Sequence, residues 1–124
     1  AGLAHTLTRI RAGEDVAIPV FDRSLELARA GADVVGPQDR IIVVEGNYLL
    51  LNEAPWPQAA PLFDLTVWID VPEAELDRRL LARWAHYGKT PAEARAWIDG
   101  NDMPNIRRVT GDSRAADVVL RFPG

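Results

Sequence analysis

Glu45 stands at the end of the apolar run Ile41-Ile42-Val43-Val44 and is followed by Gly46-Asn47-Tyr48. A carboxylate at the carboxyl end of an apolar strand can orient the water shell of Mg²⁺ or a reacting phosphate. The plainer alternative is a polar strand terminus that caps the next turn. A second group is cationic: Arg78, Arg79 and Arg83, with Arg107 and Arg108 downstream. Arg79 and Arg83 are four apart and share a helix face. Guanidinium forks match phosphate oxygens and stabilise charge spread over a transferring phosphoryl group. The competing reading, which such charge runs favour when taken alone, is a solvated face paired with Glu75 and Asp77. Ile18-Pro19-Val20-Phe21-Asp22-Arg23 puts an aromatic and two charges after a rigid proline, either as the wall of a small-molecule pocket or as a turn with an ion pair. In Asn101-Asp102-Met103-Pro104-Asn105, Asn101 and Asn105 could both face a sugar or amide if helical. Taken alone, Asn101 or Asp102 reads as a helix cap.

These groups need elements to position them. Leu3, Leu7 and Ile10 recur at helical spacing before Gly13, which predicts a helix over 1–12. Val16–Phe21, interrupted by Pro19, reads as an extended edge segment. Residues 22–39 read as a loop with a helical turn near Leu25–Arg29 and a small strand at Ala32–Val35. Ile41–Val44, Leu65–Ile69 and Asp117–Leu120 are continuous apolar runs, the pattern of strands covered on both faces in a parallel sheet. Between the last two, Pro72 opens a helical stretch with Leu76, Leu80 and Trp84 as its apolar stripe, ending at Gly88. Thr90-Pro91-Ala92-Glu93 has capping-box spacing, predicting a helix to about Asp99, and 101–109 reads as helical. Strands separated by helices define an α/β domain with a mostly parallel sheet. Three such strands make a thin sheet, short by about two.

Composition narrows the function. The 124 residues fit one domain, and 48% hydrophobic with 26% charged residues argues against disorder. A net charge of −4 disfavours a general nucleic-acid or anionic-membrane partner, and no apolar run approaches a membrane span. With no cysteine there is no thiolate metal site or cysteine nucleophile, which fits a cytoplasmic setting. Trp56, Trp68, Trp84 and Trp97 read as packing residues, with Trp68 in a buried strand. The sequence contains no G-x-x-x-x-G-K-[ST] and no G-x-G-x-x-G.

Taken in order, Ile18–Arg23, Val43–Leu50, Phe63-Asp64-Leu65, Arg79–Trp84 and Asn101–Asn105 resemble the C-terminal part of the uridine kinase, phosphoribulokinase and pantothenate kinase group of P-loop kinases. More narrowly, they resemble bacterial fructose-transport-system or nucleoside kinases. The resemblance covers nearly the whole chain and implies a partial three-layer α/β/α fold lacking its first strands. It implies one domain over 1–124, with an acceptor segment at 16–24 and a lid region at 73–100. It implies ATP and Mg²⁺ as cofactors, with Glu45 the acidic residue near Mg²⁺ and the γ-phosphate. Arg78, Arg79 and Arg83 would belong to the lid, the last two acting on the transferring group. Phe21, Asp22, Arg23, Asn47, Tyr48, Asn101 and Asn105 would meet a small-molecule acceptor. Where the related kinases carry Pro-x-Tyr this chain has Phe21, which removes a hydroxyl and leaves the acceptor open. The expected chemistry is phosphoryl transfer to a hydroxyl, with residues 1–124 alone inactive. A non-catalytic module that binds a metabolite or pairs with a second copy stands as the alternative.

Overall fold

The computed structural model describes residues 2–22 and 27–122, with the side chains of Val20, Phe21, Asp22 and Ala32 outside that description. Its contacts divide the chain into two compact units, Ala1–Leu49 with Ala54–Phe63, and Leu50–Glu53 with Asp64–Gly124.

In the first unit, helix α1 (Gly2–Arg11) buries Leu7, the middle of its apolar stripe. It ends where Gly13 takes φ +81°, a left-handed conformation that glycine adopts without steric cost. The Gly13 and Glu14 amides then donate to the Ile10 and Arg9 carbonyls. Strands β1 (Val16–Asp22) and β2 (Leu27–Val35) form an antiparallel pair from Val16↔Val35 to Asp22↔Leu27. Their register shifts between Ile18 and Val20, at Pro19, which has no N–H to give to a ladder. The extended segment expected at 16–21 is therefore a strand. The helical turn expected near Leu25–Arg29 is replaced from Leu27 onward by strand, because pairing with β1 outweighs local preference. Trp56–Leu62 is a 3-10 helix that packs on α1, with Arg11 Nη1 donating to the Leu62 carbonyl at 3.4 Å and Ala59 buried.

The run Ile41–Val44 departs from expectation. It is not a strand, and Ile41 and Val43 are both 86% exposed. A strand is defined by its ladder, and no described segment pairs with these residues.

In the second unit, β3 (Val67–Asp70) and β4 (Val118–Arg121) pair in parallel from Val67↔Val118 to Asp70↔Arg121. Asp117 and Thr66 lock the start of the pair. The Thr66 amide and hydroxyl donate to Asp117 Oδ2 at 2.9 and 3.0 Å, and the Asp117 amide donates back to Thr66 Oγ1 at 3.0 Å. Val67, Ile69, Val118, Val119 and Leu120 are exposed and Trp68 is half-buried, so the apolar character of both faces is legible but the double cover expected there is not present within the described residues.

Helix α2 (Glu73–His86) carries Leu76, Leu80 and Trp84 half-buried on one stripe and ends before Gly88, at φ +89°. Helix α3 (Pro91–Trp97) starts as its capping box requires, with Thr90 Oγ1 accepting from the Glu93 amide. Instead of stopping near Asp99, the helix passes through a π segment, Ile98–Asp102, into α4 (Met103–Gly111). The reason lies in Pro104. It cannot donate to the carbonyl four residues back, and its ring would crowd that carbonyl in a regular helix, so the widened turn before it accommodates the proline. Ala94, Ile98 and Met103 are buried along this path, and Leu50 and Leu51 are buried in the same unit. Leu51 bridges to Ser113, while the Asn52 and Arg114 amides donate to the Asp112 and Leu50 carbonyls. No helix among the described residues is long and apolar enough to cross a membrane.

Candidate functional site

Helix α2 places acidic residues Glu73 and Glu75 in its first turn and Arg83 and His86 in its last, the arrangement that suits the helix dipole. Two of the three expected arginines, Arg78 and Arg79, converge on one carboxylate, Glu75. Arg78 grips Glu75 with two hydrogen bonds, Nε at 2.8 Å and Nη2 at 2.7 Å, and Arg79 Nε donates to the same carboxylate at 2.8 Å. These bonds, from Arg78 first and then Arg79, lower the Glu75 pKa to about 2. The Arg79 guanidinium also lies over the Phe122 ring, 4.6 Å from its centre. Arg83 is exposed and makes no ion pair or hydrogen bond among the described residues. The solvated-face reading thus holds for Arg78, while Asp77, its other expected partner, is engaged by Arg95 of α3 at 3.0 Å. That hydrogen bond lowers the Asp77 pKa, and Arg95 also holds Asp99, tying α2 to the start of the π segment. Two guanidiniums of α2 therefore share the Glu75 carboxylate, and Glu73 and Asp77 are engaged by Arg107 and Arg95, so Arg83 and part of the Arg78–Arg79 charge are left for an anion.

Asn101 and Asn105 are half-buried, one in the π segment and one in α4. Asp102 makes no capping hydrogen bond. Its carboxylate is fixed on both oxygens, Oδ2 by the Trp84 indole N–H at 2.7 Å and Oδ1 by Asn101 Nδ2 at 3.4 Å. Trp84 in turn meets Trp97 edge-on at 6.2 Å, and Lys89 Nζ lies 5.4 and 5.3 Å from the two rings. The sequence marked Trp84 as packing. Its donor role was not legible there, since Asp102 comes within reach only through the widened turn, whose one signal was a proline inside a helical pattern.

In the first unit Glu45 is exposed and has no hydrogen bond or ion pair among the described residues. Asn47 is exposed, and Tyr48 is half-buried with its ring 5.8 Å from that of Trp56. The backbone of Phe21 and Asp22 pairs with Ala28 and Leu27 in β1–β2, while their side chains and all of Arg23 lie outside the described residues. Glu45, Asn47, Tyr48, Phe21 and Asp22 thus belong to the first unit, and the arginines with Asn101 and Asn105 to the second. Mg²⁺ keeps several waters and takes one or two carboxylates plus substrate phosphates. A single unengaged carboxylate such as Glu45 fits that requirement, and the described residues contain no cluster of three acidic or histidine side chains that could hold a metal.

No family model matches the chain. Individual proteins do. Residues covering 98% of the chain are 32% identical to a Schizosaccharomyces pombe protein named as a putative uridine kinase, of which they span 54%. The ATP-dependent kinase YFH7 of Lachancea thermotolerans is 33% identical over 83% of the chain and 32% of its own length. Among solved structures, a putative fructose transport system kinase from Silicibacter sp. TM1040 superposes with a TM-score of 0.87 at 34% identity. That match covers 96% of this chain and 58% of the Silicibacter one. YFH7 of Saccharomyces cerevisiae, described as a putative P-loop-containing kinase with a circular permutation, gives 0.71 at 26% identity over 89% of this chain and 36% of its own. The chain is homologous to P-loop kinases and has the α/β fold of the part of them that it covers. It spans about half the length of the putative uridine kinase relative, and several of its relatives are named as kinases, some of them ATP-dependent.

Proposed function

We propose that these residues form the acceptor-binding and lid portion of an enzyme that moves the γ-phosphoryl group of ATP to a hydroxyl of a small metabolite, a sugar, nucleoside or pantothenate-like compound. The observation that carries this reading is the α2 patch, where Arg78 and Arg79 share one carboxylate and Arg83 has no partner among the described residues. Phosphoryl transfer is mostly positioning and charge neutralisation, which such a patch supplies. In this reading Arg79 and Arg83 neutralise the transferring group, and Arg78 supports the lid through Glu75. Glu45 orients Mg²⁺ through a water. Phe21, Asp22, Arg23, Asn47, Tyr48, Asn101 and Asn105 contact the acceptor. The backbone cradle for the phosphates lies outside residues 1–124, so these residues alone turn over no ATP. A second reading, a non-catalytic module that binds a metabolite or self-associates, is favoured by the exposed apolar β3–β4 ladder, a surface that invites strand pairing.

The test is incubation of the complete protein with radiolabelled ATP, Mg²⁺ and a panel of sugars, nucleosides and pantothenate, followed by product separation. Label is expected in the phosphate ester of one acceptor class. Label that remains in ATP, or appears only as inorganic phosphate, with every acceptor would favour the non-catalytic module.

A further inference from the structure

Arg79 differs from its neighbours in how it is held. Its Nε–H is bonded to Glu75 at 2.8 Å and its Cζ lies over the Phe122 ring, 4.6 Å from the centre, yet neither Nη group has a hydrogen-bond partner among the described residues. Its Nε is bonded and its Cζ sits over an aromatic ring, and both Nη groups are open among the described residues. Phe122 is itself anchored, because its amide donates to the Asp70 carbonyl at 2.8 Å. That bond sets the ring just beyond Asp70 and Arg121, the last residues of parallel strands β3 and β4. Ligands of open α/β sheets collect outside the carboxyl ends of such strands. The local anion is Asp70, which has Arg121 Nε at 3.8 Å.

We infer that Glu75 and Phe122 are positioning residues that preset the free Nη fork of Arg79 for a pair of phosphate oxygens. A guanidinium already held through Nε and against an aromatic ring loses less freedom when it closes on a bidentate anion than a free arginine does. Arg78 is held differently, with two of its nitrogens on Glu75. Arg83 has no partner among the described residues to aim it. The inference rests on the proposed function for the source of the phosphate, a nucleotide's phosphate chain; the preset fork itself follows from the geometry.

The test reads arginine side-chain NMR signals of the 124-residue chain while tripolyphosphate, ATP or orthophosphate is added. Phe122→Leu keeps apolar bulk and removes the ring face, Phe122→Tyr restores the face, and Arg79→Lys keeps the charge without the fork. In wild type, tripolyphosphate and ATP are expected to shift the Arg79 signals. Phe122→Leu and Arg79→Lys should raise the tripolyphosphate Kd about three- to fivefold, with Phe122→Tyr within about twofold of wild type. Glu75→Gln gives the sharpest contrast. Removing a negative charge should tighten anion binding if charge alone matters, whereas loss of the anchor should weaken it. The inference is overturned if polyphosphate leaves Arg79 unmoved, if Phe122→Leu and Arg79→Lys bind like wild type, or if Glu75→Gln binds more tightly. Should Phe122→Leu fail to fold, the Arg79→Lys and Glu75→Gln arms decide. Weaker binding of orthophosphate than of ATP assigns the fork to a nucleotide, and equal binding assigns it to a single phosphoryl group. No turnover is measured, so failure of the kinase reading and failure of the fork remain distinguishable.

Discussion

Glu45→Gln in the complete protein is expected to lower kcat by about 10²–10³-fold while the acceptor KM changes only a few-fold, the signature of a group that acts on charge developing in the transition state. The substitution keeps shape and removes only the charge. Glu45 is exposed and makes no hydrogen bond or ion pair among the described residues, so no packing or network is disturbed. Exposed substitutions of this kind leave stability within about 0.5 kcal/mol. Steady-state kinetics at saturating ATP and Mg²⁺, with a denaturation curve alongside, separate the two effects. An unchanged kcat would remove Glu45 from the chemistry, and an acceptor KM that rose alone would make it a binding residue.

Ile98→Ala should be the most damaging substitution to the fold of the second unit. Ile98 has 0% exposure and opens the π segment, with Ala94 and Met103 buried on either side of it in sequence. Removing a fully buried aliphatic side chain costs about 2–5 kcal/mol through lost transfer energy and the cavity left behind. Ile98→Val should cost about 0.5–1.5 kcal/mol. Urea denaturation followed by tryptophan fluorescence measures both, since Trp84 and Trp97 lie in the same unit. The effect should extend to function, because Asn101 and Asp102 lie in the segment that Ile98 begins. A cost below about 1 kcal/mol for Ile98→Ala would show that the π segment is not held by its buried side.

Local signals were strong wherever the chain supplies its own partners. The Leu76, Leu80 and Trp84 stripe, the Thr90–Glu93 capping box and the Gly13 stop all predicted elements that formed, since each is satisfied within a few residues. Strand readings depended on partners farther away. Leu65–Ile69 and Asp117–Leu120 found each other and became β3 and β4, shifted by one or two residues, with Thr66 and Asp117 fixing where pairing starts. Ile41–Val44 carries an equally clear apolar pattern but has no ladder among the described residues. Composition tells what a strand wants to be covered by, and not whether the cover is within reach.

At the candidate site the sequence named a cationic face and missed its couplings. Arg78, Arg79 and Arg83 were legible as a cationic face; that Glu75 alone would hold two of them, with Asp77 drawn away by Arg95, depends on α3 packing against α2. Phe122 carried no signal, because a ring after a terminal strand becomes relevant only when the strand pair brings it to Arg79. Asp102 read as a helix cap for a similar reason, since its bond to Trp84 spans 18 residues and a π turn.

We propose that Glu45 and, separately, the α2 arginines act on a phosphoryl group. A crystal structure of the complete protein with Mg²⁺ and a non-hydrolysable ATP analogue tests it most directly. The expected result is a Glu45 carboxylate one water away from the ion at the terminal phosphate, with Arg79 and Arg83 on that phosphate's oxygens. A Glu45 side chain turned to bulk solvent, with both arginines remote from the nucleotide, would contradict the account.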